Sequence, residues 1–294
     1  MDSELLKVMV ISPWGYVFSA VWGALWGSFF NVMIVRLPAG ESLVRPASHC
    51  RACGLQLRFY DNIPIFSYLF LRGRCRRCKA HYSARYMLVE LLVAALSLAM
   101  FSTFIVEAPG ALGANVARFF ITSLFSGLLV AISFIDLDTM RIPNVITYPG
   151  IPAVVALSVF MGLPNLWDGA VGAVGGYLLV RLIADGWELL RGRQGMGYGD
   201  AKLLAMIGGL LGWQVVLPTL FLASLQGSII GIGALLVARA LRQREASPQS
   251  AEDGEEEPLH TTTIPFGPFL CLAALELMIL HAHLPSLTML LFGG

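Results

Sequence analysis

Charged residues are scarce in this sequence. Asp, Glu, Lys and Arg make up 13% of the 294 residues, whereas hydrophobic residues make up 56%. A soluble domain carries about 25% charged residues. The shortage therefore argues against an ordinary soluble domain and predicts a protein that is mostly embedded in a membrane.

A cleavable signal sequence is also lacking. Asp2, Glu4 and Lys7 occupy the positions where such a signal carries a basic segment, and no small-x-small cleavage site follows the first hydrophobic run. We therefore expect that run to be retained as a membrane span. A dinucleotide-binding loop is lacking as well, because no strand precedes the Gly-x-Gly sequences.

Hydrophobic runs long enough to cross a bilayer recur along the chain. A spanning helix needs about 20 apolar residues. We predict an all-α polytopic membrane protein with about eight transmembrane helices, the sixth of them short. The predicted spans are 14–35, 86–106, 114–135, 145–163, 167–190, 200–212, 214–238 and 264–284. Glycine is frequent inside them, which favours close packing of helix backbones.

Basic residues are concentrated in one loop. Residues 36–85 hold ten of the 20 Lys and Arg residues, and the predicted outer loops near 107–113 and 162–166 hold none. Loops rich in Lys and Arg stay in the cytoplasm. We therefore place residues 36–85 in the cytoplasm and both termini on the opposite side of the membrane.

Composition and topology divide the chain into five segments. A polar stretch that is acidic towards its end and poor in large apolar groups separates the last span from the rest, and we expect it to be flexible. The segments are a first span (1–37), a cytoplasmic tetracysteine loop (38–84), a transmembrane core (85–240), a cytoplasmic linker (241–262) and a last span with its tail (263–294).

Four of the five cysteines form two Cys-x-x-Cys pairs, Cys50/Cys53 and Cys75/Cys78. Two such pairs can surround one zinc ion with four thiolates, which leaves no position for a catalytic water. We predict a structural zinc site. Disulfides or a redox pair are the alternatives, and a reducing cytoplasm disfavours structural disulfides. The fifth cysteine, Cys271, lies in an apolar run and is expected to pack inside a helix bundle.

The basic residues around these cysteines have a simple explanation in the membrane. They obey the topology rule and can contact anionic lipid headgroups. Phe59, Tyr60 and Tyr68 could stack on bases, but a nucleic-acid-binding zinc ribbon is disfavoured on a loop tethered to a membrane at both ends. We predict membrane lipid, and no nucleic acid, as a partner.

Two aspartates lie at predicted membrane edges, where ionisable groups are costly and suggest function. Asp136 ends the third span and Asp200 opens the sixth. Both edges are predicted to be cytoplasmic, so the two carboxyl groups can meet, share one proton and act as base and acid in peptide hydrolysis. The alternatives are a helix cap for Asp200, interfacial solvation for Asp136, replacement of Asp136 by Asp138 in the pair, and proton-coupled transport.

With these cysteine pairs and aspartates the chain resembles a known family, the bacterial type IV prepilin leader peptidases, which are membrane aspartic proteases of the GxGD type. The resemblance runs from about residue 22 to about residue 270. Besides the two cysteine pairs, its motifs are GSFFNV at 27–32, RLP at 36–38, DNIP at 61–64, IPN at 142–144 and GYGDAKLL at 197–204.

The resemblance implies cleavage of prepilins and pseudopilins after the glycine that ends a basic leader, with Asp136 and Asp200 as the catalytic pair. It further implies N-methylation of the new N-terminal residue, with S-adenosylmethionine as methyl donor, and Gly73 matches a loop glycine linked to that methylation. It also implies a bacterial inner-membrane location with the active site on the cytoplasmic side. A zinc-stabilised membrane transporter or assembly scaffold without protease activity is the alternative, and the oligomeric state stays open.

Overall fold

The computed structural model describes residues 11–163, 166–192, 196–245 and 264–283, most of which are helical. In chain order the helices are α1 (Pro13–Arg36), α2 (Phe66–Leu71), α3 (Arg85–Phe101), α4 (Leu112–Thr139), α5 (Asn144–Leu157), α6 (Leu166–Arg191), α7 (Tyr198–Leu211), α8 (Val216–Glu245) and α9 (Gly267–His283). A π-helical turn (Ser102–Glu107) extends α3, and a 3-10 turn (Ser158–Met161) extends α5. Most of the predicted linker 241–262 and the tail after residue 285 lie outside the described residues.

Six helical segments in the described part of the chain are long and apolar enough to cross a membrane. They are α1, α3 and α5 with their extensions, α4, α6, and the segment Trp213–Gly233, which contains the first part of α8. The other two predicted spans correspond to α7, with 14 residues, and to the apolar part of α9, Gly267–Leu280. The prediction of an all-α polytopic membrane protein is confirmed, while the count of eight spans stays a prediction.

The short helix α7 is enclosed by other helices, and most of its side chains are buried. Glycines let α6 approach it closely. A Cβ added to Gly172 would collide with the backbone oxygen of Gly208, and one added to Gly176 would lie 2.7 Å from the backbone oxygen of Leu204. This is the close backbone packing that the glycine content predicted. Because α7 is covered by protein, it does not need the length of a lipid-exposed span.

Helices α1 and α3 pack antiparallel at the base of the cysteine loop. Asn31 Nδ2 donates a hydrogen bond to Tyr86 O at 2.8 Å. One turn further into the bundle, a Cβ added to Gly27 would lie 2.8 Å from Glu90 Cα. The small residue and the interhelical hydrogen bond are typical of helix packing in lipid. They bring the end of α1 and the start of α3 together.

An ion pair brings the end of α4 to the same place. Arg85, the first residue of α3, contacts Asp138 with a closest nitrogen–oxygen distance of 2.8 Å and also donates to Phe134 O at 3.3 Å. The end of α1, the start of α3 and the end of α4 therefore lie on one side of the bundle, together with residues 38–84. We call this side the loop end.

Candidate active site and metal centre

Asp136 lies in the last turn of α4, at the loop end. Met140 ends the helix in a left-handed conformation (φ 52°), and its N–H donates to Asp136 O at 2.8 Å. Pro143 follows closely and would interrupt any continuation of the helix. The Asp136 side chain is buried, and its Oδ2 accepts a hydrogen bond from Gly267 N at 3.1 Å. The first residue of α9 thus holds the carboxylate of α4.

Asp200 lies in the first turn of α7 and is also buried. Its Oδ2 accepts a hydrogen bond from Gly197 N at 3.2 Å. This is one half of a capping box, because Gly197 has no side chain to complete the other half. Asp200 therefore does serve as a partial helix cap, one of the alternatives raised by the sequence. A cap of this kind uses only one of the two carboxylate oxygens.

The structure brings the two carboxyl groups together although they are 64 positions apart in the sequence. Asp136 and Asp200 are near enough to interact electrostatically. Ile142 packs against the residue before Asp200 and against the glycine that contacts Asp136: a Cβ on Gly199 would lie 3.0 Å from Ile142 Cβ, and one on Gly267 would lie 3.3 Å from Ile142 Cδ1. Two buried carboxyl groups in such proximity cannot both ionise cheaply, so one proton can be shared between them.

Sequence reasoning missed Gly267. A Cβ at this position would lie 2.5 Å from Asp136 Oδ2, so the close approach of the main chain to the carboxylate requires glycine. The only sequence signal is a glycine between Phe266 and Pro268 at the start of the last predicted span. In the same helix, Cys271 is buried, in agreement with the packing role expected for it.

The other polar groups near the pair have partners of their own. Asp138, the alternative to Asp136, is 43% exposed and paired with Arg85. Lys202 Nζ donates to Asn144 Oδ1 at 2.6 Å and lies over the ring of Tyr148. These contacts direct Asp138 and Lys202 to neighbours outside the aspartate pair.

The four loop cysteines form a compact cluster whose Sγ atoms all lie within 4.8 Å of one another. The Sγ atoms of Cys50 and Cys78 are 3.8 Å apart, and those of Cys53 and Cys75 are 4.0 Å apart. Four sulfurs at about 2.3 Å from one tetrahedral zinc ion would be separated by about 3.8 Å. The cluster fits zinc, and all four cysteines are free, so the disulfide alternative is not realised.

Both Cys-x-x-Cys turns have the same backbone design. Cys50 N donates to Leu55 O and Cys75 N donates to Ala80 O, each at 2.8 Å. The residue after each second cysteine adopts a left-handed conformation, with φ 69° at Gly54 and 61° at Lys79. Backbone N–H groups of Cys78 and Arg77 lower the pKa of the Cys75 thiol to about 6. A lowered pKa favours the thiolate, which is the form of cysteine that binds zinc.

Comparison with known proteins matches most of this chain. A family model described as Bacterial Peptidase A24 N-terminal domain matches residues 21–104, and one described as Type IV leader peptidase family matches residues 123–232. Proteins named prepilin leader peptidase/N-methyltransferase are 35% identical in Myxococcus xanthus, over 95% of both chains, and 38% identical in Aeromonas hydrophila, over 92% of both chains. The chain belongs to the type IV leader peptidase family.

Membership of the leader peptidase family confirms the resemblance predicted from the motifs. The first family model spans the cysteine loop, and the second spans both aspartates. A Pseudomonas aeruginosa relative with the same name is 35% identical over 92% of both chains. No solved structure matches this chain.

Gly73, the loop glycine singled out by the family motif, is buried at the end of α2. Its φ is +65°, and a Cβ there would lie 2.8 Å from the Tyr68 hydroxyl oxygen. Gly73 O also accepts a hydrogen bond from Tyr82 N at 2.7 Å, next to the cysteine cluster. The requirement for glycine therefore comes from backbone conformation and from the packing of Tyr68.

Proposed function

We propose that this leader peptidase family member is an aspartic endopeptidase that removes the basic leader of prepilins and pseudopilins after glycine, with Asp136 and Asp200 as its catalytic pair. The observation that carries the proposal is the convergence of these two buried carboxyl groups at the loop end. The names of the relatives support the reaction and the substrate class.

In this mechanism one carboxylate takes a proton from water while the other carboxyl group protonates the oxygen of the scissile carbonyl. The water oxygen bonds to the carbonyl carbon, and the resulting intermediate breaks its C–N bond as the leaving amine gains a proton. Oδ2 of each aspartate is held by a backbone N–H, from Gly267 and from Gly197. Oδ1 of each is then the oxygen that acts on water and substrate.

We place the reaction on the cytoplasmic side of the bacterial inner membrane. The support is the charge distribution, because residues 36–85 hold half of the Lys and Arg residues and lie at the same end of the bundle as the aspartates. The substrate enters with its apolar helix in the membrane and its leader in the cytoplasm, so that the scissile bond meets the membrane edge.

A transporter would need a polar path across the whole bilayer. Among the described residues, the charged side chains that are buried are Arg36, Glu90, Asp136 and Asp200. Each lies near the loop-end terminus of its helix. This one-sided distribution favours a peptidase over a proton-coupled transporter.

We further propose that the protein N-methylates the new N-terminal residue, with S-adenosylmethionine supplying the methyl group. The support is the double name of the relatives and the presence of both the tetracysteine loop and Gly73. Cys50, Cys53, Cys75 and Cys78 would hold zinc, which would stabilise the loop rather than take part in chemistry, because all four ligand positions are filled by protein.

The deciding experiment compares Asp136→Asn, Asp200→Asn and Asp138→Asn in purified protein incubated with a prepilin. Asparagine is nearly isosteric with aspartate but cannot exchange the proton, so each of the first two changes should abolish leader cleavage. Asp138→Asn should keep most of the activity, because Asp138 pairs with Arg85. Intact mass of the prepilin reports cleavage.

The same assay with S-adenosylmethionine and a pre-cleaved pilin tests the second activity. Methylation should persist in Asp136→Asn and Asp200→Asn if the two reactions use separate residues. Leader cleavage at the wild-type rate in Asp200→Asn would refute the aspartic mechanism and favour the transporter hypothesis.

A further inference from the structure

Part of the cysteine loop lies beside the membrane helices rather than beyond their ends. Ile65 N donates a hydrogen bond to Glu90 Oε2 at 2.7 Å. Glu90 is five residues inside α3, which is about 8 Å along the helix axis from Arg85. On its way to α2 the loop therefore runs alongside the first turns of α3 and reaches the level of Glu90.

A cavity of about 300 Å³ lies between this segment and α1. Asn62 and Pro64 line it on the loop side, and its wall on α1 runs from Arg36 to Leu25 and includes Ser28. Ser28 is eight residues before the end of α1, about 12 Å along the helix axis. The hydrogen bond to Glu90 and the cavity along α1 together indicate that the segment just before α2 lies beside the helix ends, near the membrane interface.

The buried carboxylate of Glu90 explains how an irregular segment can lie there. Backbone groups at membrane depth need partners within the protein. Glu90 accepts a hydrogen bond from Ile65 N, and Ser28 of α1 lies beside its carboxyl group. A carboxylate that would otherwise be costly in a membrane span therefore satisfies the amide at the start of α2 and ties it to α1 and α3.

Helix α2 leaves one apolar face uncovered. Phe66, Leu69 and Phe70 are 60%, 57% and 84% exposed, and their spacing places them on one side of the helix. Tyr68 lies off this face and packs against Gly73. An exposed apolar face of this kind marks an interaction surface. Because the residue that precedes α2, Ile65, lies beside Glu90 of a membrane helix, lipid is the expected neighbour of this face.

We propose that α2 is an interfacial helix whose Phe66, Leu69 and Phe70 insert into the lipid leaflet at the loop end. Exposed Arg58 and Arg72 flank the helix in the sequence. Their charge complements the anionic headgroups that an interfacial helix meets. This anchoring does not depend on the peptidase reaction.

The test uses full-length protein in vesicles of phosphatidylcholine and phosphatidylglycerol, with or without bromine on the acyl chains. The reporter is Phe70→Trp, and the matched control is Gln56→Trp, an exposed polar position in the same loop. Fluorescence of the wild type, which has six Trp residues, is subtracted. Brominated lipid should quench the signal added by Phe70→Trp several-fold more strongly than that added by Gln56→Trp.

A second reporter on the same face, Phe66→Trp, should behave as Phe70→Trp does, and omission of phosphatidylglycerol should weaken quenching of both. Equal quenching of Phe70→Trp and Gln56→Trp would overturn the proposal. So would a Phe70→Trp signal that lipid does not quench but that shifts to shorter wavelength when a prepilin is added, because the face would then bind substrate.

Discussion

At the scale of single residues, both aspartates are oriented by main-chain amides. Asp136 is held by Gly267 N and Asp200 by Gly197 N. A backbone donor does not titrate, and its position is set by the start of the helix that carries it. The orientation of the two carboxyl groups therefore depends on how α9 and α7 begin.

The first residue-scale prediction concerns Gly267→Ala. The added Cβ would lie 2.5 Å from Asp136 Oδ2, so the carboxylate or the start of α9 must move. A displacement of about 1 Å at a catalytic group can cost about 100-fold in rate. We expect kcat for leader cleavage to fall by about that factor with little change in KM, as measured by steady-state kinetics on a prepilin.

Gly175→Ala is the matched control, since a Cβ at Gly175 in α6 meets nothing within 4 Å. It should leave kcat unchanged and hold thermal stability at or above the wild-type value. If Gly267→Ala cleaved at the wild-type rate, the contact with Asp136 would have no part in catalysis.

The second residue-scale prediction concerns coupling between the aspartates. Two groups that exchange a proton act as a unit, so removing the second after the first should cost little more. We expect the double variant Asp136→Asn/Asp200→Asn to retain the same residual cleavage as either single variant. A double variant slower by the product of the two single effects would indicate independent roles.

At the scale of elements, the cysteine loop consists of short turns with little regular structure. In the described part of the loop, its β-pairing consists of the bridges His49–Gln56 and Arg74–His81, one at each cysteine pair. So few backbone pairings give a small domain little stability of its own, and metal binding must then supply much of its folding free energy.

We therefore predict one zinc ion per chain, lost in Cys50→Ser and in Cys75→Ser. Loss of the metal should unfold the loop, and methylation should suffer at least as much as cleavage because Gly73 and Tyr68 pack beside the cluster. Metal analysis of the purified protein measures the zinc content, and intact mass of the processed pilin measures cleavage and methylation.

Cys271→Ser is the control for these variants, because Cys271 is buried in α9 and is not part of the cluster. It should keep a full complement of zinc. Wild-type protein that is fully folded yet free of zinc would contradict a structural role for the metal.

At the scale of the whole molecule, the candidate site residues lie at one end of the bundle. The cysteine loop, Asp136 and Asp200 converge there through the ends of α1 and α4 and the starts of α3 and α7. A substrate that is anchored in the membrane can therefore meet both the aspartates and the loop without crossing the bilayer.

The topology prediction follows from this arrangement. Single cysteines introduced as Gln56→Cys and Ser250→Cys should react only with reagents that reach the cytoplasm, whereas Ala111→Cys should react from outside. The physical reason is the Lys and Arg bias of residues 36–85. A periplasmic position for Gln56→Cys would reverse the predicted membrane topology, including the side of the membrane on which leaders are proposed to be cut.

Much of this architecture follows from the sequence alone, because it depends on local composition. Hydropathy predicts the spans, since each must be apolar over a bilayer's thickness. The spacing of Cys50/Cys53 and Cys75/Cys78 predicts the cluster, since each turn is formed by neighbouring residues. The motif around Asp200 indicates, through resemblance, the catalytic role that we propose for it. Hydropathy did not distinguish α7, a short helix covered by protein, from a lipid-exposed span, because both are equally apolar.

Only the tertiary structure decided which groups contact the buried carboxylates. The contact of Gly267 with Asp136 joins residues 131 positions apart, and the contact of Ile65 with Glu90 joins a loop to a membrane helix. Both donors are backbone amides, which every residue except proline possesses. The residue type therefore gives no indication that these amides contact a carboxylate. Their roles arise from helix packing, which determines where each amide lies.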